Sequence, residues 1–135
     1  MPARIYLDTS FLMLSAKFHL DVLREAERLV QTKTHFFVPS IVVAELKQLA
    51  ERSGAQGRDA RVALELLRRC QISHAESGNA ADADAALIQA SQSPGAIVAT
   101  ADLPLRRKLR NAGRPVIFLR EKAKLELEGI EAGYW

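Results

Sequence analysis

A single cysteine, Cys70, in 135 residues excludes an internal disulfide framework and any zinc ribbon built on cysteine pairs, and it points to a reducing compartment. No uninterrupted run of hydrophobic letters is longer than "FLML" or "VIFL", against the ~20 residues needed to span a bilayer. The opening "MPARIYLDTS" meets an acid too early for a secretory signal. These absences set the expectation of a soluble, cytoplasmic protein with no membrane partner. His19, His35 and His74 have no metal-ligand spacing with one another or with Cys70. There is no glycine-rich phosphate loop, no G-x-S-x-G elbow and no dinucleotide fingerprint. Repeats, low-complexity segments and linkers are missing too, so a single domain over residues 1–135 is expected.

What the chain does have is a regular alternation of strand-like and helix-like segments. "IYL", ending at Asp8, reads as a first strand; "TSFLMLSAKF" and "LDVLREAERLV" read as helices, and "HFFVPS" as a second strand closed by Pro39. Ser40 suits the N-cap of "IVVAELKQLAERSG", with Gly54 as its end. "GRDARVALELLRRCQ" is amphipathic with Val62, Leu66 and Leu67 on one side, and the polar "ESGN" after it reads as a loop. "AADADAALIQASQS" is helical, "AIVAT" a short buried strand, "LPLRRKLRNA" a helix stopped by Gly113, and "PVIFLR" a last strand. "EKAKLELEG" predicts one more short helix before a loose "YW" end. Such alternation predicts a mostly parallel sheet with helices on both faces, because parallel neighbours need right-handed helical crossovers.

In an open parallel sheet, ligands bind outside the carboxyl ends of the strands. Asp8 follows "IYL" and Asp102 follows "IVATA", so neighbouring strands would bring both into one crevice. Glu45, in "SIVVAEL", and Asp84, in "ADADAALIQ", lie on helices that leave the same edge. Four carboxylates from distant parts of the chain then converge, and crowded carboxylates raise one another's pKa unless a cation offsets them. Mg²⁺, a hard ion that prefers oxygen and keeps several waters, suits that set and equips it for phosphoryl transfer. A structural alternative stands beside each acid: Asp8 and Asp102 as helix caps, Asp82 or Asp84 complementing a helix dipole, Glu45 on a solvated face. Glu45 resists it most, because its side of the helix otherwise reads as buried. Asp82 and Asp84, two residues apart on one helix, cannot face the same way, and Asp84 is the one assigned to the crevice.

The net charge is only +3, but the pI is near 9.3, within the range of nucleic-acid binders if the cations cluster. They do: Arg106, Arg107, Lys108 and Arg110, with Arg114 just beyond, would hold a phosphate backbone beside the acids without reading bases. Arg58, Arg61, Arg68 and Arg69 extend the basic character, diluted by Glu51, Asp59 and Glu65. The competing reading is a solvated helix face. The hydroxyls of Thr9, Ser10 and Thr100 flank the strand-end acids, where they either orient a carboxylate or a metal-bound water or simply cap.

Taken in order, "IYLDTSFLML", "VPSIVVAEL", "ADADAALIQAS" and "IVATADLPLRRKLRNAGRPVIFL" resemble the PIN-domain family across nearly the whole chain. The resemblance implies a three-layer α/β/α sandwich around a mostly parallel sheet, and metal-dependent endonucleolytic cleavage of RNA leaving a 3′-hydroxyl and a 5′-phosphate. It also implies that Asp8, Glu45, Asp84 and Asp102 hold Mg²⁺ or Mn²⁺. Two branches compete. VapC-type toxins, partnered by an antitoxin, share the acids and the length; the "DLPLRRKLR" run looks more like the PIN endonucleases that process small-subunit ribosomal RNA, and that branch is favoured here. Ser10 replaces the Asn that often follows "DT" in the family, and Ala85 replaces a second Asp of processing-type members. These two departures motivate a reading of another class, a catalytically weak scaffold that binds RNA or a ribosome-assembly partner. A homodimer is the family expectation, with the apolar stripe of the second helix or the final "YW" as candidate surfaces.

Overall fold

The computed structural model describes residues 2–74, 82–121 and 124–130. Its centre is a six-stranded sheet: β1 (Ala3–Leu7), β2 (Thr34–Pro39), β3 (Gln71–Ser73), β4 (Ala96–Ala99), β5 (Val116–Glu121) and β6 (Lys124–Glu128), in the order β3-β2-β1-β4-β5-β6. All neighbours are parallel except β5 and β6. Around it lie α1 (Thr9–Lys17), α2 (Val22–Val30), α3 (Ser40–Ala50), α4 (Gly54–Leu66), α5 (Ala83–Ala90) and α6 (Leu103–Asn111).

The twofold alternation of strand side chains builds two separate cores. Ala3, Ile5 and Leu7 of β1 join Phe11 and Leu12 of α1, Leu23 and Ala26 of α2, Leu46 of α3 and Ala63 of α4 on one face. Tyr6, between them in sequence, points to the other, where Val98, Val116 and Phe118 pack on Leu87 of α5 and on Leu105 and Leu109 of α6. The expected three-layer α/β/α sandwich is therefore the observed one. Each fully buried Leu or Phe contributes about 1.5–3 kcal/mol relative to exposure, so both helix layers are anchored by apolar area.

From β1 the chain passes to β2 and β3 on one side, then returns to β4 on the other side of β1. This reversal opens a crevice beyond the carboxyl ends of β1 and β4, the place where such sheets bind ligands.

Several local expectations are corrected. The C-terminal segment read as a short helix is strand β6: Leu125 and Leu127 alternate with Glu126 and Glu128, and pair with Leu119 and Ile117 over the first core. Gln71, read as the end of the "GRDARVALELLRRCQ" helix, instead begins edge strand β3. Helix α3 ends at Ala50, and Gly54, at φ +82°, opens α4 instead of closing α3. Ser40 is the first helical residue of α3, preceded at the cap by Pro39 with no side-chain bond. On α4 the buried stripe is Gly57, Ala60 and Ala63, whereas Val62 is 46% exposed; small residues let the helix lie close. The apolar stripe of the second helix (Val22, Leu23, Ala26, Val30) is sealed in the core and is no dimer surface. The "ESGN" loop and the "YW" end lie outside the described residues.

Candidate functional site

At the crevice, strand β1 ends on Asp8, which caps α1 and is 5% exposed. Its Oδ1 accepts the Thr9 N–H at 2.8 Å; its Oδ2 accepts the hydroxyls of Thr100 at 2.7 Å and Ser10 at 2.9 Å. Those hydroxyls are themselves aimed by backbone donors: the Ala101 N–H gives to Ser10 Oγ and the Asp102 N–H to Thr100 Oγ1, each at 3.0 Å. With both hydroxyl protons committed to Asp8, the 3.3 Å approach of Ser10 Oγ to Thr100 Oγ1 is a packing contact. The loop after β4 is thus wired to the end of β1. Burial pushes the Asp8 carboxyl above its ordinary range, with the Asp102 charge adding to the rise, while the Thr100, Ser10 and Thr9 donors pull it down.

Around Asp8 a cleft of about 610 Å³ is walled by Glu45, Asp59, Asp84 and Asp102, with Lys17 as its one amine. Glu45 projects from α3, and its Oε1 is buried without a hydrogen-bond partner among the described residues. Its carboxyl is raised by burial first, then by the charges of Asp8, Asp84 and Asp82. Asp84 sits in the first turn of α5 and is raised by burial, Asp102 and Asp8, against Lys108 4.0 Å away. Asp82 is occupied elsewhere, capping α5 through the Ala85 N–H at 2.8 Å, so the two acids do diverge as their spacing demands. Asp102 caps α6 through the Leu105 N–H at 3.1 Å. Capping and crevice placement coexist in Asp8 and Asp102; the two readings of these acids are not exclusive.

An all-oxygen donor set, mutually repelling and including one orphaned buried oxygen, fits a hard divalent cation. The carboxylates are spread around the cleft wall: among the described residues, no three acidic, imidazole or thiol side chains gather on one point.

Of the flanking hydroxyls, Ser10 and Thr100 orient Asp8. Thr9 acts through its backbone N–H, and its Oγ1 is buried without a partner among the described residues. Sequence reasoning missed two cleft residues, Lys17 and Asp59. Lys17 ends α1 and carries no motif; Asp59 was read only as diluting a basic surface, and its signal was its place one turn into the helix that faces Glu45.

The expected basic face of α6 is present but unequal. Arg107, Lys108 and Arg110 are exposed, Arg106 and Arg114 half-buried. Arg106 grips Glu128 through Nε at 2.8 Å and Nη2 at 3.2 Å, and Arg110 Nη1 reaches the same carboxylate at 2.7 Å. On the far helix layer, Arg61 donates to the Ala50 carbonyl, Arg68 pairs with Glu65 and Arg69 with Asp21.

Comparison with known proteins places this arrangement in a family. Residues 5–122 match the family described as PIN like domain. The chain belongs to the PIN-like domain family. This PIN-like domain is 29% identical over 130 residues to Ribonuclease VapC4 of Methanocaldococcus jannaschii, covering 94% of the chain and 98% of that protein. It is 31% identical over 99 residues to Ribonuclease VapC9 of Archaeoglobus fulgidus, covering 73% and 70%. Its fold is shared with the structure of the PIN domain endonuclease Utp24, at TM-score 0.78 and 23% identity over 96% of this chain and 93% of that one. No described helix is long and apolar enough to cross a membrane.

Proposed function

We propose that this PIN-like domain is a cytoplasmic, divalent-metal-dependent endoribonuclease. The observation that carries the reading is the meeting of Asp8, Glu45, Asp84 and Asp102 from four elements in one cleft at the reversal of strand order, with Glu45 Oε1 buried and unpartnered. The names of its VapC relatives, both ribonucleases, support RNA as substrate.

These four residues would hold Mg²⁺ or Mn²⁺, which when bound supplies Lewis-acid charge for phosphodiester hydrolysis. The chain's own contribution is orientation. Three donors fix the Asp8 carboxylate, so it meets its ligand without a rotamer search. Burial and mutual repulsion hold Glu45 and Asp84 at raised free energy while they are charged, and binding of a cation relieves that. The cations of α6 face the substrate backbone. Ser10, a departure from the family's usual Asn, still bridges Asp8 to the Ala101 N–H, which argues for a working nuclease over a weak scaffold.

The test is cleavage of a long single-stranded RNA in Mn²⁺, Mg²⁺ or EDTA, parent against Asp8→Asn. Metal-dependent cutting to 5′-phosphate ends, lost in the variant, is expected; equal cutting by a folded Asp8→Asn protein overturns the assignment.

The narrower role proposed is ribosomal RNA processing, on the likeness of "VATADLPLRRKLRNAGRPVIFL" to that branch. The naming of both relatives as VapC favours a second role, a toxin restrained by an antitoxin. Growth arrest on expression, relieved by the product of an adjacent gene, selects the toxin; accumulation of unprocessed ribosomal RNA on depletion selects the processing role.

A further inference from the structure

The four cations on α6 differ in what holds them. Lys108 leans towards Asp84 at the cleft. Arg106 lies 3.4 Å from the centre of the Phe118 ring and shares Glu128 with Arg110. Arg107 is exposed and has no ion pair or side-chain hydrogen bond with any described residue. Beside it a groove of about 370 Å³ is lined by Leu103, Arg106, Arg107, Arg110 and Asn111.

Positions 103, 107, 110 and 111 follow the i, i+4, i+7, i+8 spacing of one helix face. At the head of that face Leu103 is 48% exposed, and it adjoins Asp102, a wall of the acid cleft. Arg107 stands five residues beyond Asp102, about 7.5 Å along the helix axis, on the scale of one nucleotide. An open apolar side chain beside an uncommitted guanidinium suits a nucleotide: sequence-tolerant contact for the base, charge for the phosphate.

We propose that this α6 groove is a subsite for the nucleotide flanking the cleavage point in single-stranded RNA, with Arg107 on its phosphate, Leu103 against its base, and Arg106 and Arg110 fixed by Glu128 as its wall. It rests on the ribonuclease reading above. The basic helix thereby splits into one recognition cation, Arg107, two structural ones, Arg106 and Arg110, and Lys108 turned to Asp84. Glu128 also sets the strength of the subsite, because it cancels part of the charge the groove presents.

The experiment measures binding of a fluorescein-labelled oligouridylate of about 12 nucleotides to the full chain in EDTA, by anisotropy across a salt series, beside cleavage of the same RNA with Mn²⁺. Arg107→Ala is expected to weaken binding about tenfold and to reduce the salt slope by about one phosphate contact. Leu103→Ser is expected to weaken it about threefold with the slope unchanged. Glu128→Gln is expected to strengthen binding about threefold with a steeper slope, a gain that misfolding cannot produce. Arg68→Ala, an exposed cation on the turn after α4, serves as the control and leaves both unchanged. The proposal is overturned if Arg107→Ala matches the parent in affinity and slope, as it would if the groove met a protein instead, or if Arg68→Ala loses as much. A parent that binds with this pattern of variants yet never cuts removes the nuclease reading and leaves the groove as an RNA-binding site alone; a parent that cuts without binding through Arg107 removes the subsite alone, and one that neither binds nor cuts RNA removes both.

Discussion

Two charged regions lie within a few residues of each other on this domain, the acid cleft and the junction of α6 with β6, and they handle charge in opposite ways. At the junction three charges answer one another: Glu128 receives three bonds from Arg106 and Arg110, and Arg106 is stacked on Phe118. The result is a Glu128 carboxyl held below its ordinary range by the Arg106 bond first. In the cleft, five carboxylates are met only by Lys17 in the lining and by Lys108 4.0 Å from Asp84, and Asp8, Glu45 and Asp84 are all pushed up. Charge satisfied within the chain holds the fold together; charge left in deficit marks where something from outside is required.

The sharpest way to break that contrast is to remove a cleft acid. Asp8→Asn should lower RNA cleavage by about a thousandfold or more, the scale of removing a central electrostatic group from an active site, while the melting temperature measured in EDTA stays level or rises. A fall in both would make Asp8 structural and collapse the comparison. The junction predicts the reverse: Arg106→Ala should cost about 2 kcal/mol, a cation–π contact plus a charged bidentate bond, visible as a melting temperature lower by several degrees. Ser10→Ala, which keeps every carboxylate but cuts the tie from Ala101 to Asp8, should reduce activity about tenfold, read as a higher metal requirement in a Mn²⁺ titration.

The smallest effect is in pH. A raised carboxyl contributes stability present below its unfolded pKa and lost as pH rises through its folded one, so Asp8, Glu45 and Asp84 favour the mildly acidic side in EDTA. Glu128, lowered, contributes stability present above its unfolded pKa and lost as pH falls through its folded one. Denaturant titrations in EDTA should therefore show a modest gain on going from neutral pH into the upper carboxylate range, smaller in Asp84→Asn because Asp8 and Glu45 remain, and a loss at lower pH that Glu128→Gln flattens. Saturating Mn²⁺ should erase the gain, since a cation binds the charged forms.

Much of the sheet, and the placement of the four acids around one cleft, were legible because strand ends and caps are local signals. Asp8 and Asp102 each close an apolar run, and the two-residue offset of Asp82 from Asp84 separates a cap from a wall by geometry alone. What was illegible depended on contacts across the chain. "KLELE" carries good helix formers, and only the neighbouring β5 makes its alternation decisive. Three residues of β3 are too few to show a period. The buried side of α4 hid because it is made of Gly57, Ala60 and Ala63, which carry little hydrophobic signal. Nor did a run of arginines reveal that Glu128, far along the chain from Arg106, had already claimed two of them.

At Gly57 the fold depends on the absence of a side chain. A Cβ there would stand 1.9 Å from the Arg52 carbonyl oxygen, so any side chain must move the turn that joins α3 to α4. Ala55, Gln56 and Asp59 of that same first stretch of α4 line the cleft. The stretch of α4 that lines the cleft is thus seated through a position without functional groups. A map of mutational tolerance would show an intolerant site at residue 57, where chemistry alone predicts freedom.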